Sequence, residues 1–298
     1  MVGLLERLAG GAVLVSDGAM GTQLFSRGLK GGESPETLNL SHPEYLQEIA
    51  REYREAGADI VHTNTFGGSP VSLAGFGLDD RTEEINRRAV EAARRGVAGQ
   101  ALVAGSCGPS GTILQPFGEA DPDEVYAGFK RQLLALIAAG VDAVTVETMT
   151  DLNEAVLAIK AAREVSPTIP IIATMTFDDT PRGFYTIMGV DIPTGMAGLA
   201  TAGADVIGSN CGDGLEKMIR IAPLLKAAGS LPVIIQSNAG QPEMTADGPL
   251  WPESPQFFAD RIGELVTAGV SIIGGCCGTG PEHIRAIRQV LDRAKELG

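Results

Sequence analysis

Positive charge is scarce in this chain: 23 lysines and arginines stand against 37 aspartates and glutamates in 298 residues, a formal net charge of −14. A surface of that sign repels phosphate backbones and anionic membranes, which sets nucleic-acid and membrane partners aside. Long apolar runs are missing too. The first ten residues carry Glu6 and Arg7 and no stretch suited to a secretory signal, and no other segment approaches a membrane span, so a cytoplasmic protein is expected. Cysteine is sparse, at four residues. That is too few for a disulfide scaffold, and in a reducing compartment the thiols stay available as ligands or nucleophiles. Aromatic residues are few, with one Trp and four Tyr. What remains is ordinary for a folded enzyme, 44% hydrophobic and 20% charged, and excludes a disordered chain.

Short β-branched or apolar runs recur along the whole length: Val13 to Val15, Ile60 to Val61, Leu102 to Ala104, Ala143 to Val146, Ile171 to Thr174, Val206 to Ile207, Val233 to Ile235 and Ser271 to Ile273. Between them lie segments of helical spacing, among them Glu44 to Ala56, Thr82 to Arg95, Asp123 to Ala139, Leu152 to Val165, Leu215 to Ala228, Gln256 to Ala268 and Glu282 to Leu297, with a shorter one at Gly195 to Ala202. Four of the helices run into the next strand through one punctuation, Ala-Gly-X-Asp or Ala-Gly-X-Ser, with the glycine as helix stop at Gly57, Gly140, Gly203 and Gly269. Strand, helix and glycine stop, repeated eight times, predict an α/β fold in which parallel strands close a (β/α)8 TIM barrel, one domain over residues 1–298. An open doubly wound sheet is the alternative.

In such barrels chemistry sits at the C-terminal strand ends. Here those ends are polar: Ser16-Asp17-Gly18, His62-Thr63-Asn64-Thr65, Gly105-Ser106-Cys107, Glu147-Thr148, Thr174-Met175-Thr176, Ser209-Asn210-Cys211, Gln236-Ser237-Asn238 and Gly274-Gly275-Cys276-Cys277. Three thiols, Cys211, Cys276 and Cys277, can meet if strands six and eight aim their tips at one point. Thiolates favour zinc among common cytosolic divalent ions, and three protein ligands leave a fourth position for substrate. Side chains of adjacent residues diverge along a strand, so Cys276 and Cys277 must lie on a turn, for which Gly274, Gly275 and Gly278 supply the freedom. The spacing is not a zinc-finger pattern, and a buried pair of small residues at a strand end is the plain alternative. Cys107 stands alone and reads as a packed thiol. His62 and His42 have no second candidate ligand beside them and read as packing residues.

At these residues the chain resembles the zinc-dependent homocysteine S-methyltransferase family, which includes the homocysteine-binding module of cobalamin-dependent methionine synthase and the betaine-dependent enzymes. The motifs run in order from Asp17-Gly18-Ala19-Met20-Gly21-Thr22 through Thr63-Asn64-Thr65-Phe66, Gly105-Ser106 with Gly108-Pro109, Glu147-Thr148 and Asn210-Cys211-Gly212 to Gly274-Gly275-Cys276-Cys277-Gly278-Thr279. The resemblance implies a barrel with zinc on Cys211, Cys276 and Cys277. It places Glu147 near the amino group of the amino-acid thiol, with Asp17 and the loop amides of Gly18 and Ala19 as further contacts and Asn64, Ser106 and Asn210 beside them. An amino-acid substrate needs a carboxylate for its ammonium and amide donors for its carboxylate. The alternatives are helix capping or loop bracing for Asp17 and an ion pair in the barrel mouth for Glu147. Asn238, between the two cysteine-bearing strands, offers a weak fourth ligand that substrate displaces.

A free thiol has a pKa of about 8.5, and metal coordination deprotonates it. The implied activity is methylation of homocysteine to methionine, with the thiolate attacking a methyl group in an in-line displacement. The folate and cobalamin modules of full methionine synthase find no room in these 298 residues, so the methyl is expected from a separate methylcorrinoid protein carrying methylcobalamin. An onium donor of the betaine or S-methylmethionine type would favour an aromatic cage, which the low aromatic content disfavours. Trp251 and Tyr185 are the residues that could provide one. A different thiol acceptor, and a non-catalytic zinc-binding barrel with a regulatory or assembly role, are the other readings.

Overall fold

The computed structural model describes residues 2–245 and 248–297; Met1, Ala246, Asp247 and Gly298 lie outside them. Eight strands form one parallel sheet: β1 (Leu14–Val15), β2 (Ile60–His62), β3 (Leu102–Cys107), β4 (Ala143–Met149), β5 (Ile171–Met175), β6 (Val206–Cys211), β7 (Val233–Ser237) and β8 (Ile272–Gly275). Each strand pairs with its neighbour in sequence, and β1 pairs with β8. The ring closes where Ser16 bridges Ile60, with Asp17 N donating to the Ile60 carbonyl at 3.0 Å. This is the (β/α)8 barrel expected from the repeats, and the sequential strand order excludes the doubly wound sheet.

The outer helices are α1 (Pro43–Glu55), α2 (Thr82–Val97), α3 (Pro122–Ala138), α4 (Leu152–Val165), α5 (Ile192–Ala202), α6 (Leu215–Ala227), α7 (Pro255–Thr267) and α8 (Pro281–Leu297). Four begin on side-chain caps, Asp121, Asp151, Asp191 and Ser254, which satisfy first-turn amides that have no helical partner. The four glycine stops all adopt positive φ, the left-handed geometry that ends a helix without a Cβ clash. The aspartate two residues beyond three of them has a defined task. Asp59, Asp142 and Asp205 accept the amides of Val15, Val103 and Ile171 at 2.7–2.8 Å and pair with Arg7, Arg94 and Arg163. These stitches hold neighbouring strands at the N-terminal face, the face that serves stability in such barrels.

Strand residues two apart share a side, and along the inward rows the chemistry changes. Leu14, Ile60, Leu102, Ala143, Ile172, Val206, Ile234 and Ile272 fill the lower barrel as one apolar cluster with Leu4, from the short helix Leu4–Ala9, packed beneath. Two residues further up, the rows turn polar, with Ser16, His62, Thr145, Thr174 and Gln236 all buried. Below is core; above is a site. Two antiparallel hairpins not anticipated from the sequence, Asp178–Thr180 with Gly183–Tyr185 and Glu243–Thr245 with Gly248–Leu250, rise on the same upper face.

Candidate active site

The turn after β8 brings two of the thiols inward. Cys276 N donates to the Ser237 carbonyl at 2.7 Å, the Cys277 carbonyl accepts Ala239 N at 2.9 Å, and Thr279 folds back with N and Oγ1 on the Cys276 carbonyl. Gly278 sits at φ +80, and a Cβ there would lie 2.2 Å from the Trp251 ring. Gly278→Ala should therefore cost about 2–4 kcal/mol, combining left-handed strain with overpacking. Chemical denaturation of the metal-free protein checks this; an unchanged midpoint would show that the turn tolerates a side chain.

Cys211, at the end of β6, adopts φ +66, a conformation rare for a residue with a side chain. Its Sγ stands 3.9 Å from that of Cys277, and the sulfurs of Cys211, Cys276 and Cys277 all lie within 4.8 Å of one another. Tetrahedral zinc with sulfur at about 2.3 Å spaces its ligands about 3.8 Å apart. The three residues fit that ion. Hydrogen bonds from the Cys276 and Cys277 thiols, aided by the Gly212 amide and Asn238, pull the Cys211 thiol far below its ordinary range against the effect of burial. Hydrogen bonding to the Cys211 sulfur, with burial and the Cys211 charge added, pushes the other two thiols up. One proton leaves the cluster readily and the rest resist, the situation a bound cation relieves.

The cluster forms one wall of a cavity of ≈ 780 Å³, which Asp17, Gly18, Ala19, Asn64, Ser106 and Glu147 also line. Glu147 owes its aim to a break in the β4–β5 register between Val146 and Met149, a bulge that turns a side chain, and Thr148 beside it takes φ +61. Ser106 Oγ donates to one Glu147 oxygen, and Asn210 Nδ2 lies 3.4 Å from the other. Burial raises the Glu147 pKa, and the His62 charge and the Ser106 hydrogen bond draw it partly back.

Other expected contacts are placed differently. Asn210 is fully buried and outside the cavity lining; it holds the wall together, accepting from Thr148 N and Thr174 Oγ1 and donating to Thr148 Oγ1 at 2.8 Å. Asn64 lines the cavity, yet its Nδ2 is spent on the Pro35 carbonyl and Asn39 Oδ1. Asn238 also stays outside the lining; its Nδ2 donates to the Gly212 carbonyl, while its buried Oδ1 has no hydrogen-bond partner among the described residues. Asp17 commits both oxygens to His62, accepting the backbone N and meeting Nδ1, each at 2.7 Å. His62, read from the sequence as a packing residue, is thus part of the cavity wall. Its position two residues beyond inward-facing Ile60 is the signal that could have found it. His42 is on the surface, stacked on Tyr45 and paired with Glu44. Cys107 is fully buried against Gln132, its thiol pushed up by burial.

The mouth departs from the expectation drawn from low aromatic content. Phe25, Phe66, Phe76 and Trp251 all line this one cavity, the last carried by the hairpin ending at Leu250, whereas Tyr185 lies outside it under the Arg182 guanidinium.

The family described as homocysteine S-methyltransferase matches residues 14–291. Methionine synthase of Mycobacterium leprae (strain TN) is 35% identical over 98% of this chain, and that of Mycobacterium tuberculosis (strain ATCC 25618 / H37Rv) is 34% identical over 95%. The chain spans about a quarter of the length of these relatives, 25% in each case. The homocysteine methyltransferase MmuM from Escherichia coli, in its metallated form, superposes with a TM-score of 0.79 at 26% identity, covering 96% of this chain and 99% of that one. The carboxyl transferase domain of Rhizobium etli pyruvate carboxylase, at 15% identity and a TM-score of 0.53, shares the fold alone. With the match extending from the first strand into the last helix, the chain belongs to the homocysteine S-methyltransferase family.

Proposed function

We propose that residues 1–298 act as one homocysteine-binding barrel that methylates homocysteine to methionine, with zinc held by Cys211, Cys276 and Cys277. The observation that carries this reading is the set of three sulfurs within 4.8 Å on the wall of a cavity that also presents Glu147, in a chain of this family. Zinc, when bound, would hold the acceptor sulfur as its thiolate and leave it nucleophilic at neutral pH. The chain's own residues orient the acceptor. Glu147 takes the ammonium, Ser106 fixes the Glu147 carboxylate, and the Gly18-Ala19 stretch, which lines the same cavity, meets the acceptor carboxylate. Asp17 contributes through His62, since both its oxygens are already bonded there. A merely regulatory barrel would have no need of this arrangement.

For the donor we favour a methylcorrinoid carried by a separate protein or domain, in keeping with the similarity to methionine synthases four times as long. A specific observation supports a second reading: the aromatic side chains of Phe25, Phe66, Phe76 and Trp251 around the mouth suit a methylated cation. Zinc-loaded protein given homocysteine and, in parallel, methylcobalamin, betaine and S-methylmethionine separates them. Methionine is expected from methylcobalamin. Methionine from an onium compound alone would replace the corrinoid by that donor, and none from any donor would leave the methyltransferase reading without support.

A further inference from the structure

Resting on that reading, we infer that His62 is a positioning residue that makes the cavity selective for thiols bearing an ammonium group, by offsetting the Asp17 carboxylate so that Glu147 keeps its charge for the ammonium. Asp17, Glu36 and Glu147 line the same cavity; Glu36 spends its oxygens on Gly67 N and Ser34 Oγ, and a single substrate ammonium can neutralise only one of the other two. His62 lies in the wall between these demands, 7% exposed. Its Nδ1 is 2.7 Å from Asp17 Oδ1 and its Nε2 is 2.9 Å from Thr145 Oγ1, so both ring nitrogens are engaged and neither is free to bond a ligand. His62 therefore works by charge and by holding Asp17 in place.

The charged groups facing the ring are Asp17, from the loop after β1, and Glu147, from β4. Burial is the largest single influence and lowers the imidazole pKa, but the Asp17 charge and hydrogen bond, with Glu147 added, overcome it and push the value up to about 9. The imidazolium thus persists at neutral pH. Without it, Asp17 and Glu147 would face each other with no cation between them, a pairing in which one takes up a proton. Glu147, already raised by burial, would be the group to lose its charge.

The experiment uses zinc-loaded protein and two acceptors, homocysteine and 4-mercaptobutanoate, which lacks only the ammonium. For His62→Gln at pH 7, KM for homocysteine should rise about tenfold as Glu147 loses the charge that His62 upholds, with zinc content, kcat and KM for 4-mercaptobutanoate little changed. Adding Asp17→Asn removes the second charge and should restore the preference for homocysteine. A purely structural role would weaken both acceptors alike and would not be rescued; that result, or an unchanged KM, overturns the inference. Should the variants fail to fold, NMR titration of His62 in the unmodified protein decides: an imidazolium at pH 8 upholds it, a neutral ring overturns it. Wild-type turnover of homocysteine, which the reading beneath this one requires, is scored separately.

Discussion

Replacing Cys276 with alanine should strip the protein of its metal and its activity together. Zinc sites with four protein ligands bind with about 10–16 kcal/mol, or about 3–4 kcal/mol for each ligand, so losing one sulfur should weaken zinc by about 10²- to 10³-fold. Methyl transfer should fall by at least about 10³, because the sulfur of the acceptor loses the cation that keeps it ionised. The fold should remain, since the turn at Cys276 is held by backbone bonds to Ser237 and Thr279 that do not involve the thiol. Metal analysis and a transfer assay on the same preparation check both halves. Transfer that persists in the variant with zinc absent would sink the proposed chemistry.

The second large effect falls on affinity. Glu147→Gln keeps the shape and still accepts from Ser106, but removes the charge proposed to meet the ammonium. A hydrogen bond to a charged group contributes about 1.5–3 kcal/mol, so KM for homocysteine should rise by about 10- to 150-fold, while zinc content holds. Stability should move the other way. A carboxylate whose folded pKa is raised by burial opposes folding once pH exceeds its unfolded pKa, and that penalty grows as pH climbs through the folded value. At neutral pH the glutamine protein should therefore be as stable as the parent or more so, a loss of function without loss of fold. A raised KM accompanied by a lowered unfolding midpoint would mean that Glu147 serves the wall rather than the ligand.

The barrel was legible because its signals are local and repeated. Gly57, Gly140, Gly203 and Gly269 each end a helix at positive φ as expected, and strand and helix runs match the observed spans within a few residues. Meeting of the cysteines was legible only through the barrel: nothing local joins Cys211 to Cys276, and strand order does. What escaped has a common cause. The bulge that turns Glu147 depends on pairing with β5, distant in sequence, and so does the approach of Pro249 and its short, locally paired hairpin to a cavity built from the other strands. Four aromatics scattered from Phe25 to Trp251 look sparse along the chain and come to line one cavity once the loops converge. His62 is packed as expected, and its pairing with Asp17, 45 positions away, was not legible from the lone residue.

The joint between β1 and β2 has a consequence for motion. Every other pair of barrel strands shares a ladder of at least two registered residues, whereas this one rests on the Ser16–Ile60 bridge and a few bonds around it. Among those few are the bonds from His62 N and Nδ1 to Asp17. The wall of the ligand cavity and the fastening of the barrel are therefore the same atoms. Breathing of the ring along this line would unmake the charge pattern before any substrate contact was lost, and an occupant that steadies His62 and Asp17 would quieten the slow exchange of the amides at 17 and 60–62. Filling the site would then also tighten the hoop.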